Sequence, residues 1–167
     1  RPRLTDILTV GVDVIAIETQ PRLDEVLAEL DLVKELAPDT LCYVSFSLKD
    51  STHLPDGTPL AVAARTVAKY PNVFAVGVNC IPLEEVTAAI ETIHQATDKP
   101  VIAYPNSSAT YDPTTKTWSY PHGRRSLVDY LPQWLAAGLT IIGGCCTTTP
   151  QDIAALHEYL KGGAHHD

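Results

Sequence analysis

Five short apolar runs, each followed by a segment with helical spacing, constrain this 167-residue chain more than any other feature. The runs are Val12 to Ile17, Leu41 to Phe46, Val73 to Val78, Val101 to Tyr104 and Leu139 to Ile142, all rich in β-branched or aromatic residues. Near-continuous apolar runs of this length predict strands covered on both faces. The helical segments are Leu23, Val26, Leu27, Leu30, Val33; Leu60 to Val67; Val86, Ala89, Ile90, Ile93; Leu127 to Leu135; and Ile153, Leu156, Leu160. Pro21, Pro59, Pro82 and Pro150 stand at or near the first turn of four of them, where a missing N–H costs nothing. Strand and helix alternating five times demand a parallel sheet with right-handed crossovers.

Two architectures satisfy that pattern: a complete doubly wound domain of flavodoxin-like size, or five consecutive units of an eight-unit barrel. A helical segment (Leu4, Ile7, Leu8) precedes the first strand, and the chain holds no Met, not even at position 1. Both features favour a piece that begins mid-fold. The expectation is therefore an α/β fold, a (β/α)8 TIM barrel of which residues 1–167 supply about the last five βα units as a single domain. Repeats of roughly 28 to 38 residues would bring the whole to somewhat under 300, within the usual barrel range.

Composition narrows the partners. Twelve basic and 20 acidic residues leave a net charge of −8, and no Lys/Arg run supplies the phosphate-neutralising patch that nucleic acid requires. No apolar stretch approaches the roughly 18 residues of a membrane span, and Arg1-Pro2-Arg3-Leu4 lacks the apolar core of a signal peptide. The expectation is a cytoplasmic chain without nucleic-acid or membrane partners. The two longest irregular stretches, Leu48 to Thr58 and Pro105 to Arg125, each follow a strand. In a barrel such loops form the catalytic face, although surface loops without a role remain an alternative.

The chemistry-bearing residues cluster at strand ends. Gly143-Gly144-Cys145-Cys146 closes the last apolar run, and the glycine pair would let the backbone turn so that both sulfurs face one point. Cys80, in Gly77-Val78-Asn79-Cys80, ends another run. Three thiolates meeting at the carboxyl end of a sheet make a three-ligand zinc site with one position open, the pattern of a catalytic zinc. The alternatives are buried apolar cysteines, or a vicinal Cys145–Cys146 disulfide. Cys42 lies near the start of its strand and reads as a small core residue. Glu18 closes Val14-Ile15-Ala16-Ile17-Glu18, where a carboxylate either makes a structural ion pair or binds a positive substrate group. Asn79 and the Tyr104-Pro105-Asn106 turn occupy equivalent ends of two further strands.

These residues carry a family resemblance. The matching segments are Ala16-Ile17-Glu18-Thr19; Val44-Ser45-Phe46-Ser47 with Asp56-Gly57-Thr58-Pro59; Gly77-Val78-Asn79-Cys80; Tyr104-Pro105-Asn106-Ser107 with Tyr111-Asp112 and Trp118; and Gly143-Gly144-Cys145-Cys146 with Thr148-Thr149-Pro150. In that order they resemble the homocysteine S-methyltransferase family, zinc enzymes built on a (β/α)8 barrel. The long loop ending in Trp118 is most similar to the branch that uses S-methylmethionine or S-adenosylmethionine. Ser108 and Ala109 stand where many members have Gly-Glu, Leu48 where Cys or another residue is common, and Thr147 where Gly or Arg is usual.

The resemblance implies that Cys80, Cys145 and Cys146 hold Zn2+ and that Glu18 contacts the α-amino group of homocysteine. Asn79 and Tyr104 are assigned with it as substrate-binding positions. The implied reaction moves a methyl group from a sulfonium donor to the homocysteine thiol and yields methionine. Five strands leave two open edges, so the implied partners include the missing N-terminal segment or a second copy of the chain, and no activity is expected from these residues alone. The rival is a truncated, inactive fragment that binds zinc or a partner chain. A thiol-redox role for Cys145 and Cys146 is disfavoured, because adjacent cysteines bridge only with strain and no CxxC is present.

Overall fold

The computed structural model describes residues 1–107, 109–120 and 123–163. Ser108, one of the departures from the family pattern, lies outside them. Helix α1 (Pro2–Val10) leads into β1 (Val14–Gln20), followed by α2 (Leu23–Leu36), β2 (Leu41–Phe46), α3 (Leu60–Val67), β3 (Val73–Asn79), α4 (Leu83–Ala96) and β4 (Val101–Tyr104). A hairpin of β5 (Thr110–Asp112) and β6 (Thr117–Ser119) then precedes α5 (Leu127–Ala136), β7 (Leu139–Ile142) and α6 (Pro150–Gly163). All five predicted strands and all five predicted helices form. Pro59 and Pro82 are the N-cap residues of α3 and α4, and Pro150 opens α6.

Two local expectations change. The first strand runs two residues beyond Glu18, because Gln20 still pairs with Phe46 across an irregular register. The loop after β4 holds an antiparallel hairpin in which Tyr111 stands directly opposite Trp118, their rings 5.0 Å apart. Strands of three residues are too short to leave an alternating signal, so the sequence showed only a loop.

The strand order is β1-β2-β3-β4-β7, all parallel and strictly sequential. A doubly wound domain reverses its strand order at a switch point, so this order excludes the flavodoxin-like alternative. Sequential crossovers of one hand put every connecting helix on the same side of the sheet. Cys42, Val44, Phe46, Val76, Val78 and Ala103 point to that side and pack on Val26, Leu30, Leu60, Ala64, Val86, Ile90, Leu131 and Trp134, all buried. Cys42 is a core residue as expected, and burial pushes its thiol up to about 11.

The opposite face of the sheet is different in kind. Register places Ala16 beside Tyr43, Ser45 beside Gly77, and Asn79 beside Tyr104. Polar and aromatic groups therefore share this face with small residues. Gly77 is required here, since a Cβ would sit 1.7 Å from the Ile102 carbonyl oxygen.

Candidate metal and substrate site

Cys80 follows β3 and the Cys145-Cys146 pair follows β7, with β4 between these strands in the sheet. Strands two apart lie about 9.6 Å from each other. The Cα atoms of Cys80 and Cys145 are nevertheless 5.5 Å apart. Both chains curl over the end of β4: the Cys80 N–H donates to the Tyr104 carbonyl (3.1 Å), and the Cys145 N–H donates to the Pro105 carbonyl (3.0 Å). Cys80 takes φ 55° to make that bend. Asn106 also donates from Nδ2 to the Cys80 carbonyl, at 3.4 Å.

The result is a cluster in which the sulfurs of Cys80, Cys145 and Cys146 all lie within 4.8 Å of one another, each half-buried. Cys80 and Cys145 are paired as a disulfide, and Cys146 Sγ lies 3.5 Å from Cys80 Sγ. The vicinal Cys145–Cys146 bridge considered from sequence is thus replaced by a pairing between two strand ends. Tetrahedral zinc with Zn–S bonds of about 2.3 Å separates its sulfurs by about 3.8 Å, so three cysteines gathered this closely suit a soft divalent metal once reduced.

The glycine pair helps the turn by lacking side chains rather than by an unusual φ. Neither Gly143 nor Gly144 has a positive φ; a Cβ on Gly144 would instead meet the Thr148 side chain at 2.2 Å. The left-handed residue of this turn is Thr147, at φ 66°. Its hydroxyl donates to the Cys146 carbonyl at 2.5 Å and contacts the Ser107 hydroxyl.

Glu18 faces the same side of the sheet, and the Tyr104 hydroxyl donates to its Oε2 at 3.0 Å. Burial, reinforced by the Tyr43 and Glu18 contacts, pushes the Tyr104 phenol well above its usual value. It remains a neutral donor. Asn79 is buried, and its Oδ1 accepts from the Thr19 N–H (2.9 Å) and the Ser45 hydroxyl (2.7 Å), while Nδ2 donates to Thr19 Oγ1 (2.7 Å). This clamp holds Thr19 at φ 59°, immediately after Glu18. Left-handed backbone thus occurs at Thr19, at Cys80 and in the turn after β7 at Thr147, all beyond or near the carboxyl ends of strands.

Thr19, Ser45 and Ser107 stand in the segments that carry the family resemblance and Thr147 departs from it, but sequence reasoning assigned none of them a role, because hydroxyl groups in strands and loops carry no periodic signal. The cap that Thr149 makes with Asp152 went unread although the spacing allowed it: Asp152 Oδ2 accepts from the Thr149 N–H (2.8 Å) and hydroxyl (2.7 Å) just before α6. Arg124 adds a third donor to that oxygen at 2.6 Å.

Comparison with known proteins places the chain in a family. The family model described as homocysteine S-methyltransferase matches residues 1–160. The chain is 49% identical over 158 residues to homocysteine S-methyltransferase of Escherichia coli, covering 93% of this chain and 50% of that protein. It is 42% identical over 164 residues to homocysteine S-methyltransferase YbgG of Bacillus subtilis, covering 96% of this chain and 52% of the relative. The crystal structure of the metallated form of the Escherichia coli homocysteine methyltransferase MmuM superposes with a TM-score of 0.81 at 44% identity, over 95% of this chain and 49% of that one. This chain therefore spans about half the length of the relatives it matches. It belongs to the homocysteine S-methyltransferase family.

Proposed function

We propose that the protein containing this chain transfers a methyl group from a sulfonium donor, S-methylmethionine or S-adenosylmethionine, to the thiol of homocysteine, with Zn2+ held by Cys80, Cys145 and Cys146. The observation that carries the reading is the convergence of three sulfurs within 4.8 Å at the end of the sheet where Glu18 also sits. A relative solved in a metallated form supports it. Bound there, zinc would lower the pKa of a substrate thiol so that the sulfur is nucleophilic at neutral pH.

The chain's own residues supply the rest. With a divalent ion held there, the thiolates of Cys80, Cys145 and Cys146 would leave the site a net negative charge and so keep electron density on an incoming sulfur. Glu18, held by Tyr104, pairs with the substrate's α-ammonium group and orients the thiol. Asn79 supports that arrangement by fixing Thr19 and the end of β1. The homocysteine thiol releases its proton to solvent, its sulfur forms the new S–CH3 bond, and the donor's S–CH3 bond breaks to release a neutral thioether. A sulfonium donor is activated by its own charge, so the methyl group needs no general base; positioning does the work.

The same reading makes the sheet five strands of an eight-stranded barrel. Sequential strand order, two open edges and coverage of half of each relative support it. The test is metal analysis of the full-length protein, purified reduced. One zinc per chain is expected, lost in Cys80→Ala, Cys145→Ala and Cys146→Ala and retained in Cys42→Ala. Equal metal in wild type and Cys145→Ala would sink the assignment.

A further inference from the structure

The turn that carries Cys145 and Cys146 is held from outside by a side chain that neither the metal nor the substrate reading uses. Residues 143–149 form no regular element, and Thr147, a β-branched residue at φ 66°, is a costly way to build such a turn. Something must hold it there. Arg124, from the long loop after β4, donates through Nη2 to the Thr147 carbonyl (3.3 Å) and, from the same nitrogen, to Asp152 Oδ2 (2.6 Å). Asp152 is in turn the cap that ties Thr149 to the start of α6. One guanidinium thus joins the residue after Cys146 to the helix that follows it.

We propose that Arg124 is a positioning residue for the cysteine turn: by bridging the Thr147 carbonyl and the Asp152 carboxylate it holds Cys145 and Cys146 facing Cys80, and so sets how tightly a soft divalent metal is bound there. The metal half of this inference rests on the zinc reading; the hold on the turn does not. Arg124 is about half exposed, so as an ion pair alone it would contribute little. Its importance is geometric, since outer groups that orient metal ligands typically change affinity by about 10- to 100-fold. The long loop reaches the same turn at two more points, through the contact of Ser107 with Thr147 and the bond from Cys145 N–H to Pro105.

Two readouts on the reduced full-length protein test this. In the metal-free form, hydrogen exchange at the Cys145 and Thr148 amides should accelerate by about tenfold in Arg124→Ala, because an unclamped turn opens more often. In the metal-bound form, with Co2+ as the probe, chelator competition should show affinity about 10- to 100-fold weaker, with a shifted ligand-field spectrum. Arg124→Lys should recover most of both effects, since one nitrogen makes both bonds. Asp152→Asn should give intermediate losses, and it carries the test if Arg124→Ala does not fold. Unchanged amide exchange in a folded Arg124→Ala or Asp152→Asn protein overturns the clamp, whatever the metal does. If wild type binds no Co2+, the zinc reading and the affinity half of the proposal fail together, and amide exchange alone decides whether Arg124 holds the turn.

Discussion

The Tyr104 hydroxyl donates to Glu18 Oε2 across 3.0 Å although β2 and β3 lie between their strands. In a flat sheet these strands would be about 14 Å apart. A direct side-chain contact requires the sheet to curve so that its helix-free face is concave. The Asn79 bonds to Thr19, which cross β2, repeat the relationship. Curvature therefore gathers residues from four strands over one end of the sheet.

Removing the Glu18 charge should weaken homocysteine binding. Glu18→Gln in the full-length protein is expected to cost about 1.5 to 3 kcal/mol, the worth of a hydrogen bond to a charged group, and to leave metal content unchanged. Titration calorimetry with homocysteine and its deaminated analogue checks this. The wild type should discriminate between the two ligands, and the variant should not.

Cysteine reactivity should follow burial. Burial raises the Cys42 thiol to about 11, so at pH 8 it stays protonated and slow towards alkylating reagents, becoming reactive only as pH approaches that value. Peptide mapping of oxidised, metal-free protein should find Cys80 linked to Cys145, with Cys146 alkylated ahead of Cys42. A Cys145–Cys146 linkage would contradict the structure.

The Asn79 clamp should be structural as well as positional. Asn79→Ala leaves the Thr19 N–H and the Ser45 hydroxyl without their acceptor, and each unsatisfied buried group costs about 1 to 3 kcal/mol. Urea denaturation should show a loss of at least about 2 kcal/mol. Gly77→Ala should be worse, because the carbonyl of Ile102 occupies the place of the new Cβ and backbone cannot step aside.

The α6 cap should be sensitive to acid. Burial raises the Asp152 carboxyl, but the Thr149 bonds and the Arg124 charge outweigh it, and the net effect lowers its pKa below 3.8. A depressed carboxylate stabilises the fold above its unfolded pKa, and that contribution fades as pH falls from 3.8 through the folded value. Asp152→Asn should therefore cost about 1 kcal/mol at pH 7, as a lost cap does, and progressively less as the pH falls from 3.8 through the folded value. Denaturation midpoints of both proteins across this range test the sign.

The 167-residue piece expressed alone should self-associate. Val12, Val14 and Leu41 are exposed near the β1 edge, beside a cleft of about 360 Å³ lined by Leu4, Ile7, Ile15, Ile17 and Val33. Glu29 lines it too, with one carboxylate oxygen buried and unbonded. Light scattering should report oligomers and an assay no methionine formation. A monodisperse, active monomer would count against the barrel reading.

The alternation of apolar runs and helical spacing was enough to place all five long strands and their helices, since burial on both faces of a strand leaves a local, continuous signal. Residue type at strand ends marked Glu18, Cys80, Cys145 and Cys146 as candidates, because strands of a parallel sheet deliver their carboxyl ends to one side. What sequence could not supply was distance. Whether Cys145 meets Cys146 or Cys80 depends on two chains curling over β4, and whether Tyr104 reaches Glu18 depends on the curvature of a whole sheet. The Asn79 clamp and the Arg124 bridge join residues 60 and 28 positions apart. No local pattern encodes such pairings, and only tertiary packing decides them.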